Sequence, residues 1–207
     1  MLSALPTLAC SIAFSMTVFW FSSPNSRRGV TQNSASSVTT SGVYFPSGAV
    51  DGFADFFSNY LRRAGEPSLL AAAQDPDAFS YRLDSLAAQL WQVRAVRLTL
   101  NPDGSGRIFT TEDSGTPHML HRKEASIPAE DVSKFLQLVE KAGFWSMPAA
   151  EQENADPHRR VYKLDASTWV FEGVRNGAYH VVLRRGLDPS PFTDMVRFLL
   201  KDVAKLR

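Results

Sequence analysis

Two runs rich in Val, Phe, Trp and Tyr flank Asn176-Gly177, and no other feature of this chain constrains its fold so tightly. Asn-Gly tolerates the positive φ that a type I′ turn requires at both central residues, so 165–185 reads as a β-hairpin. The turn sets the register: Arg175 faces Ala178, followed by Val174–Tyr179, Gly173–His180, Glu172–Val181, Phe171–Val182, Val170–Leu183 and Trp169–Arg184. Directly opposed residues share a face. One face then carries Trp169, Phe171, Gly173, His180, Val182 and Arg184, and the other Val170, Glu172, Val174, Tyr179, Val181 and Leu183. Both are largely apolar, which places the hairpin at the centre of a sheet.

A second hairpin precedes it. Val96, Leu98 and Leu100 alternate with Arg97 and Thr99, residues 101–106 supply turn formers, and 107–111 return the chain. Four stretches carry helical periodicity instead. Over 51–65, Phe53, Phe56, Phe57, Tyr60, Leu61 and Ala64 form one stripe, with Asp51 as cap and Gly65 and Pro67 as stops. Over 75–94, Leu83, Leu86, Ala87, Leu90 and Trp91 repeat at the same spacing after Asp75-Pro76. Over 128–142, Val132, Phe135, Leu136 and Val139 face a core, with Glu130 and Asp131 in the first turn and Lys141 in the last. Gly143 then suits a left-handed cap that turns Phe144 back onto the helix. The fourth helix, 191–206, is capped by Ser190 and buries Phe192, Met195, Val196, Leu199, Val203 and Leu206. Residues 114–124 read as a loop with room for a short strand, and the polar stretch 151–160, with His158, reads as an exposed loop. Residues 49–207 are thus expected to form a single α+β domain, an antiparallel sheet of hairpins with amphipathic helices packed on it.

Residues 4–22 carry no charge and, at roughly nineteen residues, suffice to span a bilayer as a helix. No Lys or Arg precedes this run and bulky Phe19, Trp20 and Phe21 end it, which favours an uncleaved transmembrane anchor over 1–22 against a cleaved signal peptide. The apolar run before Cys10 is too short for a lipoprotein anchor. Residues 23–48, dominated by Ser, Thr, Asn, Gly and Val, bury too little to repay ordering and read as a flexible tether. Orientation is contested. Arg27 and Arg28 favour a cytoplasmic domain by the positive-inside rule, whereas the Ser/Thr-rich tether tips the reading toward the periplasmic side.

The charge balance excludes one class of partner. A net charge of +1 without a basic run beyond Arg-Arg pairs offers no field for nucleic acid. The sole cysteine, Cys10, leaves no thiol for a disulfide or metal site in the folded region. His118 and His121 have metal-like spacing but no third ligand, and Arg122 and Lys123 beside them repel a cation, so neither metal nor cofactor is expected.

Glu66-Pro67-Ser68-Leu69, Tyr81-Arg82, Val96-Arg97-Leu98, Phe144-Trp145 with Pro148, and Asp165 with Trp169, Glu172-Gly173 and Tyr179-His180-Val181-Val182 with Arg184 resemble uncharacterised bacterial membrane-anchored or exported proteins. The resemblance covers roughly 51–207 and implies a shared domain of unknown function and a bacterial source. It implies no substrate. Two functions are expected from the residues. The first is a non-catalytic binding module, tethered to a membrane, that holds a peptide, glycan or protein. Its ligand-binding residues would be Trp169, His180 and Arg184, where Gly173 opposite His180 leaves room and Arg184 opposite Trp169 can stack on the ring. The same trio also reads as structure, Arg184 covering the sheet end and His180 a core histidine. The alternative is a small hydrolase or lyase acting on an anionic substrate, with Glu172 or Asp165 as acid or base and His180 and Arg184 as anion binders. Glu172 faces away from His180 in this register, so such an enzyme needs a carboxylate from elsewhere.

Overall fold

The computed structural model describes residues 42–50, 52–87, 92–113, 119–150, 167–186 and 188–206. The expected anchor, the tether before 42, Asp51, Leu90, Trp91, His118, the 151–160 stretch with His158, and Asp165 lie outside the described residues. Among the described residues no helix is long and apolar enough to cross a membrane.

The elements run α1 (Ala54–Arg63), α2 (Leu69–Ala72), β1 (Ser80–Ala87), β2 (Gln92–Leu100), β3 (Gly106–Asp113), β4 (Leu120–Ile127), α3 (Ala129–Ala142), β5 (Thr168–Arg175), β6 (Ala178–Arg185) and α4 (Pro191–Arg197). The six strands make one antiparallel sheet in the order β4-β3-β2-β1-β5-β6. After the β1–β4 meander, α3 returns the chain across the sheet so that β5 pairs with β1. The architecture is the expected α+β class.

The Asn-Gly hairpin has the register read from its turn, from Arg175–Ala178 to Trp169–Arg184, with φ of 50° at Asn176 and 74° at Gly177. Its position differs from expectation. β5 is interior but β6 is the outer strand, so the hairpin closes one end of the sheet. Its two apolar faces arise because both faces of the sheet are covered. Tyr81, Leu83, Val96, Leu98, Phe171 and Val182 pack under α3 and α4, whereas Ala95, Val170, Val181 and Leu183 pack under α1 with Tyr44, Phe45 and Val50. We call these the α3 face and the α1 face. Tyr44 and Phe45, at the tether's expected end, are therefore core residues.

Two expectations are corrected. The helix read over 75–94 is instead β1 and the start of β2. Its apolar positions matched a helical stripe, but Tyr81, Arg82, Leu83 and Asp84 also alternate, and β1 is buried on both faces, which erases the usual polar signal of a half-exposed strand. Within 114–124, where a loop with room for a short strand is expected, residues 120–124 belong to the longer β4, whose exposed polar side chains hid the extent of a ladder set by backbone pairing with β3.

Local signals held elsewhere. α3 ends at Gly143 with φ 66°, and Phe144 is fully buried beside it. α1 starts from Phe53 without a side-chain cap. Ser190 Oγ accepts the Thr193 N–H at 3.2 Å and starts α4, which continues as a π-helix over Phe198–Val203.

Candidate functional site

Trp169, His180 and Arg184 share the α3 face, as the hairpin register requires. They do not converge. His180 lies four residues from Arg184 along β6, about 13 Å of strand, with Val182 and Phe171 between. The His180 ring packs edge-on against Phe144 at 4.9 Å and beside Trp145 at 6.3 Å. Burial holds its imidazole below the ordinary value of 6.5 against the opposing pull of a hydrogen bond to the Met147 backbone, and the Arg184 charge adds to the lowering. The Arg184 guanidinium donates to the Leu183 carbonyl at 2.7 Å and the Pro148 carbonyl at 3.1 Å, and lies 5.8 Å from the Phe192 ring centre. The room expected at Gly173 is filled. A Cβ there would stand 2.7 Å from Phe144 and 2.9 Å from Tyr81, so the glycine seats two aromatic rings.

The α1 face holds a constellation that sequence reasoning missed. Arg82, Asp84 and Glu172 are each 0% exposed. Pairing of β1 with β5 sets Arg82 opposite Glu172, and side chains two apart on one strand share a face, which brings Asp84 to the same group. Arg82 Nε and a terminal nitrogen donate to Glu172 Oε1 at 2.9 and 2.5 Å, while its other terminal nitrogen donates to the Pro67 carbonyl at 2.6 Å. The Tyr179 hydroxyl donates to the second Glu172 oxygen at 2.7 Å. Both Glu172 oxygens are thereby occupied. The Tyr179 hydroxyl is held well above its usual range, first by burial and then by the Glu172 charge.

The surrounding groups close the cluster. Tyr44 stands over the Arg82 guanidinium at 5.8 Å and donates to the Glu66 carbonyl at 2.8 Å. The Glu66 carboxylate is taken by Arg97 Nε at 2.6 Å, and Arg97 also bonds the Thr99 hydroxyl at 2.9 Å. Asp84 is the exception: Arg82 Nε is 3.3 Å away, yet neither Asp84 oxygen accepts a hydrogen bond from a donor. Its carboxyl is pushed well above the usual carboxylate range, chiefly by burial, with Glu172 and Glu66 adding to the rise and Arg82 opposing it. A helix over 75–94 would put Arg82 and Asp84 on a wet face. The alternation Tyr81-Arg82-Leu83-Asp84 was the available signal for a strand with charges inward.

Among the described residues, no three His, Cys, Asp or Glu side chains stand as a metal ligand set. A groove of about 430 Å³ runs between residues 42–45 and α1, lined by Asp55, Ser58, Asn59 and Arg62, with Val43 70% exposed on its wall. The buried charge cluster does not open into it. No protein-family model matches the chain, and no curated protein matches it significantly in sequence.

Proposed function

We propose that residues 42–207 form a non-catalytic binding module of a bacterial protein, tethered to the membrane by its N-terminal segment with the domain on the periplasmic side. The observation that carries this reading is the state of the groups best suited to acid–base chemistry. Glu172 has both oxygens bound by Arg82 and Tyr179, Asp84 is wholly buried, and His180 is wedged against Phe144 and Trp145. A general acid or base must reach the proton it transfers within hydrogen-bonding distance, and these groups face protein. The groove beside α1 has the opposite character: open, polar on the helix side and apolar at Val43, it suits an extended peptide or protein loop.

The test uses the full-length chain with a photoreactive residue in place of Val43, irradiated in its native membranes. A specific adduct that disappears when Asn59→Trp fills the groove, with melting unchanged, is the expected result. Absence of any adduct, or turnover of ester or glycoside substrates abolished by Glu172→Gln, overturns the reading. Trp169, His180 and Arg184 are the second candidate contact set. Loss of the adduct in His180→Ala or Arg184→Ala at normal melting would move the site to the α3 face.

A further inference from the structure

The Arg82 cluster contains one carboxyl too many. One buried guanidinium faces two buried carboxyl groups, and Glu172 already takes its strongest bonds. Among the described residues, the polar side chains around this cluster have partners of their own. Arg97 binds Glu66, the Tyr179 hydroxyl binds Glu172, the Tyr44 hydroxyl binds the Glu66 carbonyl, and the Tyr60 hydroxyl of α1 binds the Thr111 carbonyl at 2.7 Å. The more distant Asp113 is paired with Arg63. An ionised Asp84 would therefore be a wholly buried anion with no donor of its own, next to a second anion. The β1–β5 register makes the Glu172 carboxyl its diagonal neighbour on this face, and two carboxyl groups share a hydrogen bond only when a proton lies between them.

We infer that Asp84 keeps its proton at neutral pH and donates it to Glu172, and that this proton acts as a latch holding the layer of α1, Tyr44 and the 64–67 turn against the sheet. The latch reaches that layer through two contacts of Arg82, the Tyr44 ring it lies against and the Pro67 carbonyl it binds, while Tyr60 ties α1 to the same face of the sheet through the Thr111 carbonyl. Losing the proton places two buried anions against one cation. The cluster can relieve that only by letting Asp84 reach water, which requires the covering layer to lift. The domain therefore loosens on the alkaline side, at the layer that covers the α1 face.

The sign follows from linkage. The unfolded chain releases the Asp84 proton near 3.8 while the folded chain retains it, so stability is full below that value and is lost as pH rises toward the folded value. Between about pH 7.5 and 9 few ordinary side chains titrate, which isolates the effect.

The experiment is thermal melting of the full chain against pH for the wild type and for Asp84→Asn, whose amide supplies the N–H donor without a charge. The wild-type midpoint is expected to fall by about 5 °C or more between about pH 6 and 9, whereas Asp84→Asn stays level and melts above the wild type at the upper end. Parallel profiles overturn the inference. Should Asp84→Asn fail to fold, the wild type decides alone: a protonated-carboxyl infrared band persisting at about pH 8 upholds the latch, and its absence removes it.

Discussion

The two faces of one sheet are held by different physics. The α3 face is dry and aromatic: Tyr81 stacks on Phe171 at 5.9 Å, Phe144 meets Phe171 edge-on at 4.8 Å, and Phe135 and Phe192 close the group. Such contacts add about 0.5–1.5 kcal/mol each beyond burial, and they are insensitive to pH. The α1 face buries Arg82, Asp84 and Glu172 among Tyr44, Tyr60 and Tyr179. There the desolvation of each charge is offset only while all partners are present. The same strands supply both faces, since alternation sends Tyr81 and Leu83 one way and Arg82 and Asp84 the other. An apolar face tolerates loss in proportion to volume, while a charged interior fails by whole partners.

Removing the fully buried cation Arg82 should have the largest effect. Arg82→Met leaves the buried Glu172 carboxylate without a counter-charge and is expected to cost about 3–5 kcal/mol at neutral pH by urea titration. Acidification should restore part of it. Phe171→Ala removes the centre of the aromatic face and should cost about 3–5 kcal/mol in the same assay, with no dependence on pH. Equal pH profiles for the two variants would show that the two faces respond to pH alike. Gly173→Ala forces a methyl into Phe144 and Tyr81 and should cost about 1–3 kcal/mol, where an open ligand space would make it harmless. The smallest effect belongs to His180. Its lowered value means stability is present above about 6.5 and lost as pH falls through the folded value, the reverse of Asp84. His180→Gln should flatten the melting profile on that acid side and leave the alkaline side unchanged.

Local chemistry made much of this fold legible. The Asn176-Gly177 turn determined the β5–β6 register and which residues share each face, because a two-residue turn leaves the pairing no freedom. Pro128, the acidic first turn and Gly143 determined α3, and Ser190 determined the start of α4, since each satisfies groups at the helix end itself. Long-range packing was needed to make 80–87 a strand, to set β6 at the sheet's end, and to hold Trp169 and Arg184 apart from His180. It also decided that Arg82 and Asp84 are interior. Helical and strand spacing overlap in a segment buried on both sides, and a buried charge is recognised by its partner. For Arg82 that partner, Glu172, lies 90 residues along the chain.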